Sequence, residues 1–272
     1  MPQFVRIDKE WARRLVPRVF PKESQLGAYF DAAWSAYIVF NRALTDVFDV
    51  LRDAYAIAIE RLEEGSGRTP FAGDPRERLG DHLLTYRILG VTSGTEDLFE
   101  TFWRKAASDL RGQVLTHVGW SLEKTAELEP AVRDRLIATW EWILDQASGD
   151  ETTPLAGFGA WLGTAALDGG WLPGQAHAVL ERDVHLEPDF VVFGALPRLA
   201  CEHPREAVEV LRRMVPTDAE GWSLHGSTDE VRETLGIALA NDDAETRGRA
   251  EALVHLLGAR GMTMFRDLVS DG

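Results

Sequence analysis

The polar run at 241–246 could hold a metal ion, since its acidic and hydroxyl side chains suit magnesium. All-helical enzymes that act on diphosphates bind a magnesium cluster with an Asn/Asp-Asp-x-x-Ser/Thr-x-x-x-Glu pattern. Aligned at Asp242, this pattern puts Ala250 where its last carboxylate should be. Glu251 comes one residue late, about 100° further around a helix. A helix start explains the run without a metal, with Asp243 as the N-cap and the neighbouring acids complementing the helix dipole.

A second candidate is the tripeptide Trp140-Glu141-Trp142, within a chain that has nine tryptophans. Aromatic rings beside a carboxylate are typical of a sugar-binding cleft, where Glu141 would be the general acid of a glycosidase. Trp140, however, lies on the apolar stripe of its helix, and Trp142 is about 200° away from it. We predict that Trp140 is a core residue and that Trp142 faces another helix, a partner or solvent.

The remaining polar residues form no common catalytic signature. The chain lacks a phosphate-binding Gly-rich loop, a His-Glu-x-x-His zinc motif, a Gly-x-Ser-x-Gly elbow and a Cys-x-x-Cys pair. Its seven histidines are scattered, and no two are spaced i, i+4. We therefore expect no metal and no cofactor. The enzymatic alternative that stays open is an all-helical enzyme with a carboxylate-lined cavity, of the glycosidase or magnesium-diphosphate type.

The charge balance favours a protein partner over nucleic acid. The 272 residues include 44 acidic and 29 basic side chains, which gives a formal net charge of −15. Such a chain repels phosphate backbones and anionic membranes. The first 26 residues are a local exception with a small basic excess, so Arg13 and Arg14 are predicted partner contacts.

Cysteine usage and hydropathy bear on the compartment. Cys201 is the only cysteine, which excludes an internal disulfide and favours a reducing compartment. No apolar run approaches the roughly 18 residues that a membrane-spanning helix needs. We therefore expect a cytoplasmic protein without a membrane anchor.

The apolar residues recur at three and four positions through most of the chain, which predicts amphipathic helices. Glycines and prolines mark the boundaries between them. The predicted helices cover residues 24–40, 43–64, 75–89, 97–107, 110–123, 130–147, 154–167, 173–184, 188–202, 204–214, 228–240, 244–259 and 262–269. The Gly- and Pro-rich segment 65–74 is a predicted linker between an N-terminal helical module, 1–64, and a helical-repeat domain, 75–272.

Short loops between these helices imply antiparallel neighbours. From residue 95 onward the helix pairs recur at roughly 35 to 40 residues, close to the period of HEAT-like hairpins. The expected fold is all-α, an irregular α-solenoid of antiparallel helical hairpins, with a compact helical bundle as the alternative.

Two further tryptophans follow glycines in predicted loops. These are Trp171, after Asp168-Gly-Gly, and Trp222, after Glu220-Gly. Each ring is expected to pack as a lid on the helices beneath it, and an exposed ring would mark a contact site. Trp171 and Trp222 therefore join Trp142 as possible partner-surface residues.

Several packing and turn motifs resemble a known group of proteins. The similar stretches are 33–41, 50–58, 117–122, Trp140-Glu-Trp142, 158–161 and 256–268. Together they resemble the C-terminal helical-repeat region of long bacterial multidomain proteins associated with anti-phage defence. The resemblance implies a HEAT-like fold and no catalytic residue, because the enzymatic parts of such proteins lie in other modules.

The function that we predict is therefore a non-enzymatic helical-repeat scaffold, or recognition arm, that binds a protein partner. Stacked amphipathic hairpins bury a continuous core and leave an extended face for a partner. The resemblance implies that such a scaffold belongs to a bacterial anti-phage defence assembly.

Overall fold

The structure is a computed structural model that describes residues 2–63, 73–91, 97–215 and 226–269. Within these ranges it is helical and contains no β-strand, which confirms the predicted all-α class. The chain divides into two compact units. Unit 1 comprises Met1–Val114 and Glu129–Asp145, and unit 2 comprises Leu115–Leu128 and Gln146–Gly272.

Unit 1 begins with two helices that the apolar periodicity did not predict, α1 and α2. Asp8 separates them and caps α2, because its Oδ1 accepts a hydrogen bond from the Trp11 amide at 2.9 Å. Asp74 and Asp97 cap α5 and α6 in the same way. The helices are α1 (Pro2–Ile7), α2 (Lys9–Val19), α3 (Gly27–Phe40), α4 (Thr45–Glu60), α5 (Pro75–Ile88), α6 (Leu98–Lys105), α7 (Ser108–Glu123) and α8 (Pro130–Gln146); a 3-10 turn, Ser24–Leu26, precedes α3.

Alternate helices of unit 1 pack against each other. In one row α2 contacts α4 and α4 contacts α6, and in the other row α3 contacts α5. The helices of the two rows also meet, since α5 contacts both α4 and α6. Between the rows lies an aromatic core, in which the Trp34 and Tyr55 rings meet edge to face with their centroids 4.9 Å apart.

Unit 2 contains the second half of α7. Its next element is a 3-10 segment, Gly149–Gly163. The α-helix predicted at 154–167 is wrong in type and in bounds. Gly159 packs so closely that a Cβ built there would lie 2.5 Å from the Glu187 carbonyl oxygen. The helices that follow are α9 (Trp171–Leu180), α10 (Asp189–Glu202), α11 (Pro204–Met214), α12 (Thr228–Leu239) and α13 (Ala244–Ala259), and a 3-10 segment, Thr263–Val269, ends the described chain.

The alternate packing recurs in unit 2. The 3-10 segment at 149–163 contacts α10, and α10 contacts α12. In the other row α9 contacts α11, and α11 contacts α13. Consecutive elements pair as well, namely the 3-10 segment with α9, α10 with α11, and α12 with α13. The core between them is apolar and includes Phe158, Phe193 and Leu257.

The predicted linker at 65–74 lies mostly outside the described residues. Residues on both of its sides, including α4 and α5, belong to unit 1. A division between an N-terminal module, 1–64, and a repeat domain, 75–272, stays a prediction.

Candidate interaction surface

Three basic residues of the N-terminal segment pair with one edge of α4. Arg6 donates to Asp46 at 3.0 Å, and Lys22 donates to Asp53 at 2.7 Å. Between them, the Lys9 ammonium lies 3.5 Å from the Asp49 carboxylate. The three aspartates are spaced three and four residues apart, so they share one face of α4. Three of the six basic side chains of residues 1–26, a segment predicted as a contact surface, thus pair with α4.

The predicted contacts Arg13 and Arg14 lie on α2 and are both exposed. Arg13 pairs with Glu10 of the same helix. Arg14 and, one turn later, Arg18 are exposed and form no ion pair within the part of the chain that the structure describes. Arg14 and Arg18 thus place positive charge on the surface of a chain whose net charge is strongly negative.

Large apolar side chains stand in solvent near these arginines in the sequence. Phe4 and Trp11 contact each other edge to face, with ring centroids 5.3 Å apart, and both remain exposed. Ile7 between them is 82 % exposed. We call Phe4, Ile7, Trp11, Arg14 and Arg18 the N-terminal patch. Exposed apolar residues beside charged ones are typical of protein contact sites.

Sequence reasoning missed the apolar half of this patch, because it treated 1–26 only as a charge excess. A signal was present in Asp8, which can cap a helix, and in the spacing of Ala12 and Val16 on a buried face. That reading would have placed Trp11 on a helix with a polar outer side.

Trp142 is half-buried and packs inside unit 1. The Arg87 guanidinium carbon lies 5.0 Å from the centroid of its ring, and the Phe99 ring meets it edge to face at 6.1 Å. Of the destinations that the sequence left open, the structure places Trp142 against other helices of its own unit. Its role as a partner contact stays a prediction. The neighbouring Trp140 is fully buried, which confirms its assignment to the core.

Trp171 lies at the first position of α9 and not in a loop, which corrects the predicted helix start at Pro173. The reason is Asp168, whose Oδ1 accepts hydrogen bonds from the amides of Gly170 at 2.8 Å and Trp171 at 3.0 Å. The half-buried Trp171 ring packs edge to face on Phe158, with centroids 6.0 Å apart. Trp222 lies outside the described residues.

The polar run at 241–246 lies where α13 begins. Asp243 accepts hydrogen bonds from the amides of Glu245 and Thr246 and from the Thr246 hydroxyl at 2.7 Å. These bonds lower the pKa of its carboxyl, and they confirm that Asp243 is a helix cap. Glu245 instead pairs with Arg249 at 2.9 Å and with Arg205 at 3.1 Å.

Unit 1 also contains an open cleft of about 680 Å³ where α5 and α7 begin and α6 ends. Its acidic lining residues are Glu63, Asp74, Glu77 and Asp109. Asp74 is buried, caps α5, and is held by Arg76 at 2.7 Å. Nowhere in the described ranges do three His, Cys, Asp or Glu side chains lie where they could hold a metal ion.

The core of unit 1 carries a buried hydrogen-bond chain. The Tyr55 hydroxyl lies 2.8 Å from Nδ1 of His82 and 3.2 Å from the Tyr86 hydroxyl. Nε2 of His82 lies 2.9 Å from the Asn41 carbonyl, so this nitrogen donates and Nδ1 accepts from Tyr55 in the neutral ring. Burial lowers the pKa of His82 and raises the pKa of Tyr55. These hydrogen bonds pair polar groups inside the core, and none of the residues that form them lines the cleft.

Comparison of the chain with protein-family models, with curated proteins and with solved structures gives no match. Its helices are also too short or too polar to cross a bilayer, as far as the described residues extend.

Proposed function

We propose that the chain is a non-enzymatic helical-repeat scaffold, an irregular HEAT-like α-solenoid that serves as the recognition arm for a protein partner. A cytoplasmic location and a place in a bacterial anti-phage defence assembly belong to the same proposal. The single cysteine supports the cytoplasmic location, because it favours a reducing compartment. The resemblance of the packing motifs supports the place in a defence assembly.

The observation that carries this proposal is the packing of alternate helices within each unit. In a helical-repeat array, each helix contacts the equivalent helix of the next hairpin, and also its partner within the hairpin. In unit 2, α9 contacts α11 and α11 contacts α13, while the 3-10 segment contacts α10 and α10 contacts α12. The contacts of α2–α4–α6 and α3–α5 repeat this pattern in unit 1. A compact bundle around one central core would not require it.

The N-terminal patch is the proposed contact for the partner. It combines exposed aromatic rings, which dominate binding energy at protein interfaces, with two arginines that have no internal ion pair in the described chain. A partner of matching chemistry offers an apolar segment flanked by carboxylates. Arg6, Lys9 and Lys22 of the same segment form ion pairs with α4.

The test is affinity purification from the host with three immobilised chains, followed by mass spectrometry. These are the native chain, the double variant Arg14→Glu/Arg18→Glu, and the control Arg104→Glu/Arg133→Glu. The control makes the same charge change at exposed positions of α6 and α8. We expect one protein enriched by the native chain and by the control but lost with the α2 variant. Equal profiles for all three chains, or turnover of a small molecule without an enriched protein, would contradict the proposal.

A further inference from the structure

The outer face of α3 is apolar along its whole length. Tyr29 is 71 % exposed and Phe40 is 78 % exposed, at opposite ends of the helix. Between them the exposed residues are Ala32 and Ala36. The opposite face of α3 packs into the aromatic core. A surface helix ordinarily presents polar residues to water, so this face lacks the expected polar side.

The position of α3 in its row explains why the face is uncovered. In the other row α4 packs against both α2 and α6, whereas within the described residues α3 packs extensively against one helix of its row, α5. The end helices of a repeat array need a polar outer face or a cover. Because α3 has no polar outer face, we infer that a second copy of this chain covers it and forms a symmetric dimer.

The face is complementary to itself when two copies run antiparallel. Tyr29, Ala32, Ala36 and Phe40 are spaced three, four and four residues apart, which is close to the same pattern in either direction. An antiparallel copy therefore places each Tyr29 beside the partner copy's Phe40, with the alanines at the crossing. Small residues at the crossing let two helices approach closely, and a two-fold axis requires such a self-complementary patch.

The charges at the two ends of α3 also match a second copy. Glu23 is exposed before the helix and Arg42 is exposed after it. Neither forms an ion pair within the part of the chain that the structure covers. In the antiparallel arrangement, Arg42 of one copy comes to the Glu23 end of the other, so the interface has an opposite charge at each end.

The size of the face sets the strength of this association. Tyr29 and Phe40 are separated by about 16 Å at the helical rise of 1.5 Å per residue. A single helix face is smaller than the roughly 800 Å² per partner of a standard interface. We therefore expect a dimer that forms at micromolar or higher concentration.

Sedimentation velocity of the full chain, from about 1 to about 200 µM, tests this inference. The native chain should shift from monomer to dimer with concentration. Ala32→Glu and Ala36→Glu each place a charge at the crossing and should raise the dissociation constant by about tenfold or more. The control is Ala252→Glu, an exposed alanine of α13, which should dimerise like the native chain.

A charge exchange tests the antiparallel direction. Arg42→Glu should weaken the dimer, and Glu23→Arg in the same chain should restore it. Phe40→Ser checks the result independently of helix propensity, because this ring is mostly exposed and its loss should weaken the dimer while the melting temperature holds. A chain that stays monomeric over the whole range would overturn the inference, as would glutamate variants that dimerise like the native chain.

Discussion

Arg87 and Trp142 are in contact, with the guanidinium carbon 5.0 Å from the centroid of the indole ring. This contact joins α5 to α8, and the backbone of Ile88 strengthens the join by accepting a hydrogen bond from Arg135 at 2.6 Å. The sequence left open whether Trp142 faces another helix, a partner or solvent. In the structure Trp142 packs against other helices of unit 1.

The two tryptophans of α8 should differ in their effect on stability. Trp140→Ala should lower the free energy of unfolding by about 3–5 kcal/mol, because it empties a fully buried site. Trp142→Ala should cost about 1–2 kcal/mol, since it removes a half-buried ring and one cation–π contact. Urea denaturation of the two variants measures both losses. Equal losses would contradict the distinction between the two faces of α8.

Arg87 should not be replaceable by lysine. Its guanidinium bonds to Asp97, to Glu100 at 3.0 Å and to the Thr139 hydroxyl at 3.1 Å, a geometry that an ammonium cannot reproduce. Arg87→Lys should therefore cost about 2–3 kcal/mol of unfolding free energy. Arg104→Lys on the exposed side of α6 is the control and should change stability by less than about 0.5 kcal/mol. Equal melting temperatures for Arg87→Lys and Arg104→Lys would contradict this prediction.

Two glycines of unit 2 should respond in opposite ways to alanine. A Cβ at Gly159 would lie 2.5–2.8 Å from the backbone of Glu187, which cannot move as a side chain can. Gly159→Ala should destabilise the protein by about 2 kcal/mol or more. A Cβ at Gly174 in α9 meets no atom within 4 Å, so Gly174→Ala should stabilise by about 0.5–1 kcal/mol. Chemical denaturation would speak against this packing if Gly159→Ala proved neutral.

The buried ring of His82 should make the fold sensitive to acid. Burial holds its pKa below the ordinary value of 6.5, so the unfolded chain takes up this proton first as pH falls. The contribution is intact above pH 6.5 and is lost as pH falls through the lower pKa of the folded state. Urea midpoints from about pH 7 to about pH 5 should fall more steeply for the native chain than for His82→Gln. Parallel slopes would show that His82 does not titrate in this way.

Tyr55 should have the opposite effect at alkaline pH. Burial raises its pKa above the ordinary value of 10.0, so the unfolded chain loses this proton first as pH rises. Stability from the neutral phenol is full below pH 10 and declines above it. Tyr55→Phe should be less stable at neutral pH, because it loses the bond to His82, but should lose less stability on going to about pH 10.5. An unchanged alkaline slope in the variant would contradict this account.

The sequence predicted most helices because their apolar residues repeat with a period set by the helix itself. It placed Trp140 in the core and Asp243 at a helix start for the same local reason. These features depend on neighbours within a few positions. Local spacing is enough to predict them.

The missed features depend on residues far apart in the chain. The 3-10 form of 149–163 is associated with the close approach of Gly159 to Glu187, and the use of Arg6 depends on Asp46, which lies 40 positions away. The exposed face of α3 could not be predicted from the sequence for another reason. Its apolar pattern is visible in the sequence, but only the packing identifies which side is left uncovered.

Hydrogen–deuterium exchange of the chain, with and without the protein captured through it, tests directly whether the N-terminal patch is the partner contact. We expect binding to slow exchange of the backbone amides of residues 2–19, which carry the N-terminal patch, and we expect the Arg14→Glu/Arg18→Glu variant to lack this protection. Unchanged exchange at 2–19 in the complex, with protection confined to the acidic cleft where α5 and α7 begin, would contradict this expectation.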